Sequence, residues 1–538
     1  MRRESLNLLV NNIKLSVSAS VEEACSVALE RLKKVGISSN ECDCSLFRRS
    51  IDARKKNNII FVYSVAVKCN HLSCDENQLK KNDISILSAD ITLPELGTEE
   101  LDFPPVVVGT GPAGLFAALM LAEWGYAPVV LERGGSVEER KAAVDRLNKL
   151  HILDPDTNIQ FGAGGAGTFS DGKLVTRIND SMTSYVLRRF VEFGADESIK
   201  YVAKPHVGTD VLSKIVDNML LRIEELGGRV LYHTCFLRAN EKNGRVYSVS
   251  TTKGEIPAGA LILAVGHSAR DTYESLMADS VLLEAKPFSV GMRIEHLTED
   301  IDYAMYGDFA GDKRLGHAEY ALSTNTKSRG VYTFCMCPGG EVVAATSEDG
   351  GVVTNGMSYN SRGGRNSNSA VVCSIFKEDY GATPKAAIDF QRRIERAAFA
   401  AGGGEFSAPM ITVGDFIDGG CKSKPSRIIP TYMGGENVRL ARPENYLPGF
   451  VCESIKNALH DFDKKISGFA APDAVLTGAE TRTSAPIRIL RDADERVAVG
   501  YYNLYPAGEG AGYAGGITSA AIDGTRCALA LMKKFAPK

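Results

Sequence analysis

Residues 105–133 restrict the fold of this chain more than any other segment. Val106–Val108 read as a short, wholly apolar strand of the kind found inside parallel sheets. Gly109-Thr-Gly111-Pro112-Ala113-Gly114 follows at once, then a predicted helix over Ala113–Trp124 and a second strand over Ala127–Leu131. In such a βαβ unit, Gly109 makes the tight turn, Gly111 lets backbone approach a pyrophosphate, and Gly114 lets helix and strand pack closely. Free N–H groups at the helix start then hold the phosphate charge. Glu132 ends the second strand, where a carboxylate accepts hydrogen bonds from ribose hydroxyls, with Arg133 directly after it. A carboxylate there repels a 2′-phosphate and excludes NADP from this particular site.

That turn cannot separate FAD from NAD, but other glycine-rich stretches can. Phe161–Lys173 (FGAGGAGTFSDGK) is too dense in glycine for a regular element. Gly164, Gly165, Gly167 and Gly172 let backbone lie flat against a ligand, while Thr168, Ser170, Asp171 and Lys173 offer polar contacts. Near the C-terminus, YPAGEGAGYAGGITSAAIDG brings Gly508, Glu509, Gly515, Gly516 and Ile517 to a strand end and a helix start. A helix N-terminus there stabilises negative charge on a reduced flavin. The apolar run Leu261–Val265, closed by Gly266, reads as a further sheet strand, and Val230 is placed near an adenine. Dehydrogenase NAD domains seldom need a second acidic glycine motif so far downstream, so FAD is the expected cofactor. With one dinucleotide fingerprint, NAD(P)H is expected only as a transient donor.

The expected class is α/β: a Rossmann-like FAD-binding domain with an inserted α+β substrate domain and an N-terminal ferredoxin-like α+β module. The first boundary is compositional, because Pro94–Pro105 is acidic and proline-bounded like a linker. Residues 1–95 read β-α-β-β-α-β, the order of ferredoxin-like modules, with a last strand over Ile84–Leu93. The nucleotide-binding half takes 105–285 and 496–538. Between them, 286–495 carries short strands and Gly/Ser/Asn loops such as Asn355–Ala370. A chain of 538 residues exceeds what one core supports, which agrees with several domains.

The motifs FGAGGAGTFSDGKL, KPHVGTD (204–210), AVGHSARDT (264–272), FCMCPGG (334–340), TRTSAPIRI (481–489) and GEGAGYAGGITSAAIDG (508–524) together resemble a bacterial family of FAD-dependent, NAD(FAD)-utilising dehydrogenases. RRSIDARKK (48–56) resembles that family's additional N-terminal domain. The resemblance implies FAD, a Rossmann-like core and a substrate domain, and names no substrate.

In such a chain hydride transfer takes place at the flavin, so side chains orient substrate and tune charge. Candidates are His267, the R-x-E-H group Arg293/Glu295/His296, the pair His317/Glu319, and Arg482 and Arg488 as carboxylate binders. For each histidine a hydrogen-bonded structural role competes, and for each arginine a surface ion pair. Cys335 and Cys337 form a C-x-C, either a redox pair or two small strand residues; neighbours so spaced rarely close a strain-free disulfide.

Twelve cysteines without C-x-x-C or zinc spacing point to no metal and to a reducing cytoplasm. A net charge of −4 lacks the basic footprint of a nucleic-acid binder, so the expected partner is a small molecule, with no nucleic acid and no membrane. Two other readings stay open: a flavin-dependent RNA-modifying enzyme, and a flavoprotein whose N-terminal module docks a protein.

Overall fold

The computed structural model describes residues 6–37, 42–69, 76–87, 95–175, 180–326 and 329–537. At the N-terminus, Leu6–Ser16, Asp43–Asp52, Ile60–Cys69 and Ile84–Ile86 are strands, with helices Val21–Lys34 and Glu76–Lys81 between them. Ile60–Cys69 alternates half-buried and buried residues, so one face of the sheet is dry. Helix Val21–Lys34 covers that face through Ala24, Ala28 and Leu32, at helical spacing. Pairing is antiparallel throughout: Ile60–Cys69 lies between Asp43–Asp52 and Leu6–Ser16, and Ile84–Ile86 flanks the latter. The expected last strand is assigned over 84–86 only; its positions from 88 onward lie outside the described residues.

The next unit is a parallel sheet in the order Leu504–Pro506, Leu261–Leu263, Val106–Val108, Val129–Leu131, Arg229–Leu231. The C-terminal strand pairs directly with Leu261–Leu263, so residues 504–506 complete a sheet begun four hundred residues earlier. Helices Pro112–Glu123 and Ile517–Lys534 pack face to face. A Cβ on Gly524 would sit 1.9 Å from the Ala113 carbonyl oxygen, so only glycine permits that approach. Ten consecutive residues of the first helix, Ala113–Ala122, are buried, as a helix enclosed on all sides requires.

The inserted region is built on a seven-stranded sheet, in the order Ser323–Thr326, Arg329–Cys337, Asn366–Ile375, Phe288–Leu297, Val475–Glu480, Ala408–Thr412, Val438–Leu440. Two of these strands run ten residues, which corrects the expectation of short strands and of a loop through Ala370. Asn366–Ile375 looks loop-like because its first half is polar, yet it is a central strand. Each polar residue finds a buried partner: Asn366 donates to Glu295, Ser367 to Thr298, Asn368 accepts from Arg293 through its amide oxygen, and Ser369 bonds Tyr320, while the Asn368 amide nitrogen is left unpaired among the described residues. Burial of polar groups is tolerated when hydrogen bonds replace those to water.

The insert leaves and re-enters the parallel-sheet unit through one antiparallel pair, Leu283–Ala285 against Ile487–Ile489. The N-terminal module touches the parallel-sheet unit by backbone: Arg49 N–H donates to Tyr201 O at 2.7 Å and Ala203 N–H to Arg49 O at 2.9 Å. Among the described residues no helix is long and apolar enough to cross a membrane.

Candidate functional site

The two remote glycine stretches meet. Gly508 stands against Ala113, where a Cβ would come within 2.6 Å of the alanine methyl, and Gly510 stands against Gly266, where a Cβ would come within 2.5 Å of its carbonyl oxygen. Between them and the insert lies a cavity of about 1160 Å³. Its wall includes Gly109, Gly111, Pro112, Ala113, Glu132 and Arg133 from the first motif. The second glycine loop supplies Gly165, Gly167, Ser170, Gly172 and Lys173, and the third motif supplies Glu509, Gly515, Gly516 and Ile517. Gly266 and His267 join them from the Leu261–Leu263 strand end.

Two helix N-termini open onto this cavity without a side-chain cap. One is Pro112–Glu123, capped by Gly111, and the other Ile517–Lys534, capped by Gly516. Uncapped N–H groups and the helix dipole favour an anion at each by about 0.3–1 kcal/mol, up to about 2 when partly buried. Space is left where a ligand would lie: a Cβ on Gly515 or Gly516 would meet nothing within 4 Å, and one on Gly111 nothing nearer than Gly165 Cα at 3.9 Å. Gly109, at φ +94°, is different, because there a Cβ would strike the Ala264 carbonyl oxygen at 2.4 Å. Turn and cradle thus fit an extended dinucleotide, with one uncapped helix for its pyrophosphate and a second for a ring that gains negative charge.

Several expected ligand contacts are engaged within the protein instead. The buried Glu132 carboxylate accepts from Thr110 N and Oγ1 (3.1 and 2.5 Å), Gly134 N (3.0 Å) and Gly162 N (2.9 Å). Four donors occupy about the full acceptor capacity of a carboxylate, so Glu132 ties the phosphate turn to the second glycine loop. Asp171 is held by Arg362 and Lys173; burial opposes its charge, but those two cations keep its carboxyl below the usual range. Ser170 Oγ donates to Gly167 O at 2.6 Å and accepts from Gly172 N, shaping the loop itself. Gly114, Gly164, Thr168, Val230 and Gly508 do not line the cavity. Gly114 and Gly508 serve packing, Thr168 and Gly164 lie against each other, and Val230 pairs with Val130 in the sheet.

Of the catalytic candidates, two lie elsewhere. Arg293 is fully buried mid-strand, where Nη2 and Nε grip Glu480 at 2.8 and 3.0 Å. His317 pairs through Nδ1 with Asp302 Oδ2 at 2.7 Å, away from the cavity wall. Glu319 lines the cavity wall and is held by Arg362, while the neighbours of Arg293 in the R-x-E-H pattern are also structural. His296 is buried with Nε2 on the Phe469 carbonyl, and Glu295 is buried against Thr431 and Asn366. A strand with every residue buried explains this, since Phe288–Leu297 has no solvent face to present.

Arg482 reaches the cavity wall, but its charge is spent. Nε and Nη2 bind Glu395, and Nη1 donates to Ser347 Oγ at 2.6 Å. His267 also lines the cavity; burial first, then Arg482 and Arg270, push its pKa down to about 3. A neutral imidazole so weak in basicity is poorly matched to proton transfer near neutral pH. Arg488 keeps more freedom: it lines the cavity over the Tyr513 ring and touches Glu284 only at 3.4 Å.

Three contributors escaped sequence reasoning. Arg140, fully buried, donates to the carbonyls of Asn158, Ile159 and Ala163 and so clamps the second glycine loop. Its signal was a charge on the apolar face marked by Val137, Ala143 and Leu147. Gln160 accepts from Ser268 Oγ at 3.1 Å and joins the loop to the Gly266 turn. Lys286, just past the expected boundary, faces Glu509.

Glu509, on the cavity wall, is altered in the direction that suits proton exchange near neutral pH. Burial raises its pKa to about 7; Lys286 opposes the rise and Cys335 adds to it. The folded protein therefore binds a proton there between about pH 4.5 and 7 that the unfolded chain has released. Ionised Glu509 costs stability, and that cost grows as pH rises across this window. Glu509→Gln is expected to match the wild type below pH 4.5 and to exceed it increasingly up to pH 7, with a constant gap above. Denaturant midpoints at a series of pH values measure this, and a gap that does not vary with pH rejects it.

Cys335 sits at the opposite wall with φ +45°, a left-handed conformation that costs a side-chain-bearing residue about 1–3 kcal/mol. The strand bulges there: register shifts between Phe334 and Cys337 against Asn366–Ile375. Arg293 Nη1 donates to the Cys335 carbonyl at 3.0 Å, and Lys173 Nζ donates to that of Met336. Among the described residues no group of His, Cys, Asp and Glu could hold a metal ion.

Residues 287–483 match the family described as FAD-dependent protein, C-terminal domain-like, and residues 8–68 match a domain of unknown function. Among solved structures, the chain is similar to CtdE in complex with FAD (11% identity, 79% of this chain and 83% of that one, TM-score 0.31). It is also similar to a glycine oxidase from Bacillus cereus (10%, 79% and 94%, TM-score 0.32). The cofactor of this chain is FAD, in agreement with the cradle that the glycine stretches form. An uncharacterised protein of Clostridium beijerinckii is 44% identical over 532 residues, 98% of either chain. The chain belongs to the family of that clostridial protein, and its residues 287–483 are similar to the C-terminal domain-like region of FAD-dependent proteins.

Proposed function

We propose that this protein is an FAD-dependent oxidoreductase that exchanges two electrons with a small molecule in the cavity between the parallel-sheet unit and the insert. One observation carries the reading: residues of the Gly109–Ala113 turn and of the Glu509–Gly516 stretch, four hundred residues apart, wall the same cavity beneath two uncapped helix N-termini. In this reading 105–285 with 496–538 is a Rossmann-type nucleotide half, supported by the strand order of its sheet. Residues 286–495 form the substrate half, and 1–95 a ferredoxin-like module, supported by its element order.

When bound, FAD supplies hydride-transfer chemistry; the chain's own groups do the rest. The uncapped helices neutralise anionic charge, Glu509 holds or releases a proton near neutral pH, and Arg488 offers a cation at the wall for an anionic substrate. NAD(P)H is proposed as a transient donor that reaches the flavin across this cavity. Anaerobic addition of NADH and NADPH to yellow holoprotein is expected to bleach the flavin with at least one of them. Flavin left oxidised by both removes the nicotinamide donor. A colourless chain that refuses FAD removes the whole reading.

A further inference from the structure

We propose that Cys335 and Cys337 are a second redox centre, a dithiol–disulfide pair that exchanges two electrons with the flavin. The inference rests on the oxidoreductase reading above and adds a group to it.

Placement carries the argument. Cys335 lines the same cavity as the phosphate turn and Glu509, whereas Cys337 is fully buried behind it. Cys337 Sγ turns back and donates to the Cys335 carbonyl oxygen at 3.3 Å, which brings the buried thiol to the backbone of the cavity-facing one. In a regular extended strand, cysteines two apart stand too far apart at Cβ for a disulfide, which needs about 3.5–4.5 Å; here the left-handed φ at Cys335 and the register shift depart from that geometry. The bulge at this point frees the pair from strict strand geometry. Two small structural residues would need none of these features, nor a left-handed φ at the one facing the cavity.

Charge favours the outer thiol as the reactive one. The Cys337 hydrogen bond, Arg293 and Lys173 hold Cys335 below the usual thiol range against the effect of burial, and Cys337 is pushed up. A cavity-facing thiolate with a protonated partner behind it is the arrangement of an attacking and a resolving cysteine. The step balances without another reagent: both S–H bonds break and one S–S bond forms. Two electrons and two protons pass to oxidised FAD, which becomes the dihydroflavin, and the reverse step returns them.

The test is anaerobic reductive titration of air-oxidised holoprotein, wild type beside Cys335→Ser and Cys337→Ser, with dithionite counted per flavin. The wild type is expected to consume one more two-electron equivalent per flavin than either variant does, because the disulfide fills along with the flavin. Cys42 and Cys69, whose sulfurs lie 2.8 Å apart in the N-terminal module, add equally to all three proteins and leave the difference intact. Acid quench, alkylation and mass spectrometry give a second readout. The oxidised wild-type peptide spanning 335–337 should be lighter by two hydrogens and unalkylated, and the reduced one alkylated twice. Cys335, half-exposed on the cavity wall, keeps the test available if Cys337→Ser does not fold. Equal titres in holoproteins that retain flavin, with both thiols alkylated after oxidation, overturn the inference and leave the oxidoreductase reading standing. A chain that holds no flavin overturns both.

Discussion

Glu395→Ala is expected to lower the unfolding free energy by about 3–5 kcal/mol, the cost of leaving buried charges without their counter-ion. Glu395 joins two arginines that are almost fully enclosed. Arg270 reaches it at 2.6 and 2.8 Å, and Arg482 at 3.0 and 3.2 Å. Side-chain exposure is 2% for Glu395, 1% for Arg270 and 3% for Arg482, so water cannot take over its role. Arg270 belongs to the parallel-sheet unit, Glu395 to the helix Pro384–Ala401 of the insert, and Arg482 to the segment leading back. The triad therefore joins the two halves beside the cavity. Burial alone would raise the Glu395 pKa, but the two guanidiniums hold it far below the carboxylate range. Its stabilisation is present in full above about pH 4.5, the unfolded value, and is lost as pH falls from there towards the depressed folded pKa. Chemical denaturation at pH 7 and at pH 3 checks both statements. A variant within 1 kcal/mol of wild type at pH 7 would refute the triad's role.

Gly111→Asp is expected to fold and yet to bind FAD at least about a hundredfold more weakly, about 2.8 kcal/mol. The reasoning contrasts two glycines in one turn. At Gly111 a Cβ meets nothing nearer than 3.9 Å, so a side chain has room, but it enters the phosphate cradle with a like charge. At Gly109 even a methyl strikes the Ala264 carbonyl at 2.4 Å, at a φ of +94°, so Gly109→Ala should damage the fold itself. Flavin retention after gel filtration, read with circular dichroism, separates the two. Full flavin occupancy in folded Gly111→Asp would refute the assignment of the turn.

The parallel-sheet unit was legible because glycines there answer a steric demand of backbone, which sequence displays directly. Gly109, Gly114 and Gly508 all prove to be close approaches. The N-terminal module was legible through alternation, as in Ile60–Cys69 with one dry face. The insert was not. Its central strands carry Arg293, Glu295, His296 and Asn366–Ser369, a composition typical of loops or active sites, and only tertiary partners such as Glu480 and Thr431 show that these groups are structural. Arg482 misled for the same reason: its counter-ion Glu395 lies 87 residues away in sequence. Glu132 lines the cavity, but its hydrogen-bonding capacity is taken by loops that local pattern does not bring together.

The neck formed by Leu283–Ala285 and Ile487–Ile489 means that the insert departs and returns at adjacent positions. A segment tethered this way behaves like a cassette: its interior can be rewritten, lengthened or exchanged without altering the path of the parallel-sheet unit. On the proposed function, variation in what such proteins act upon should therefore concentrate between those two short strands, while the parallel-sheet unit stays constant.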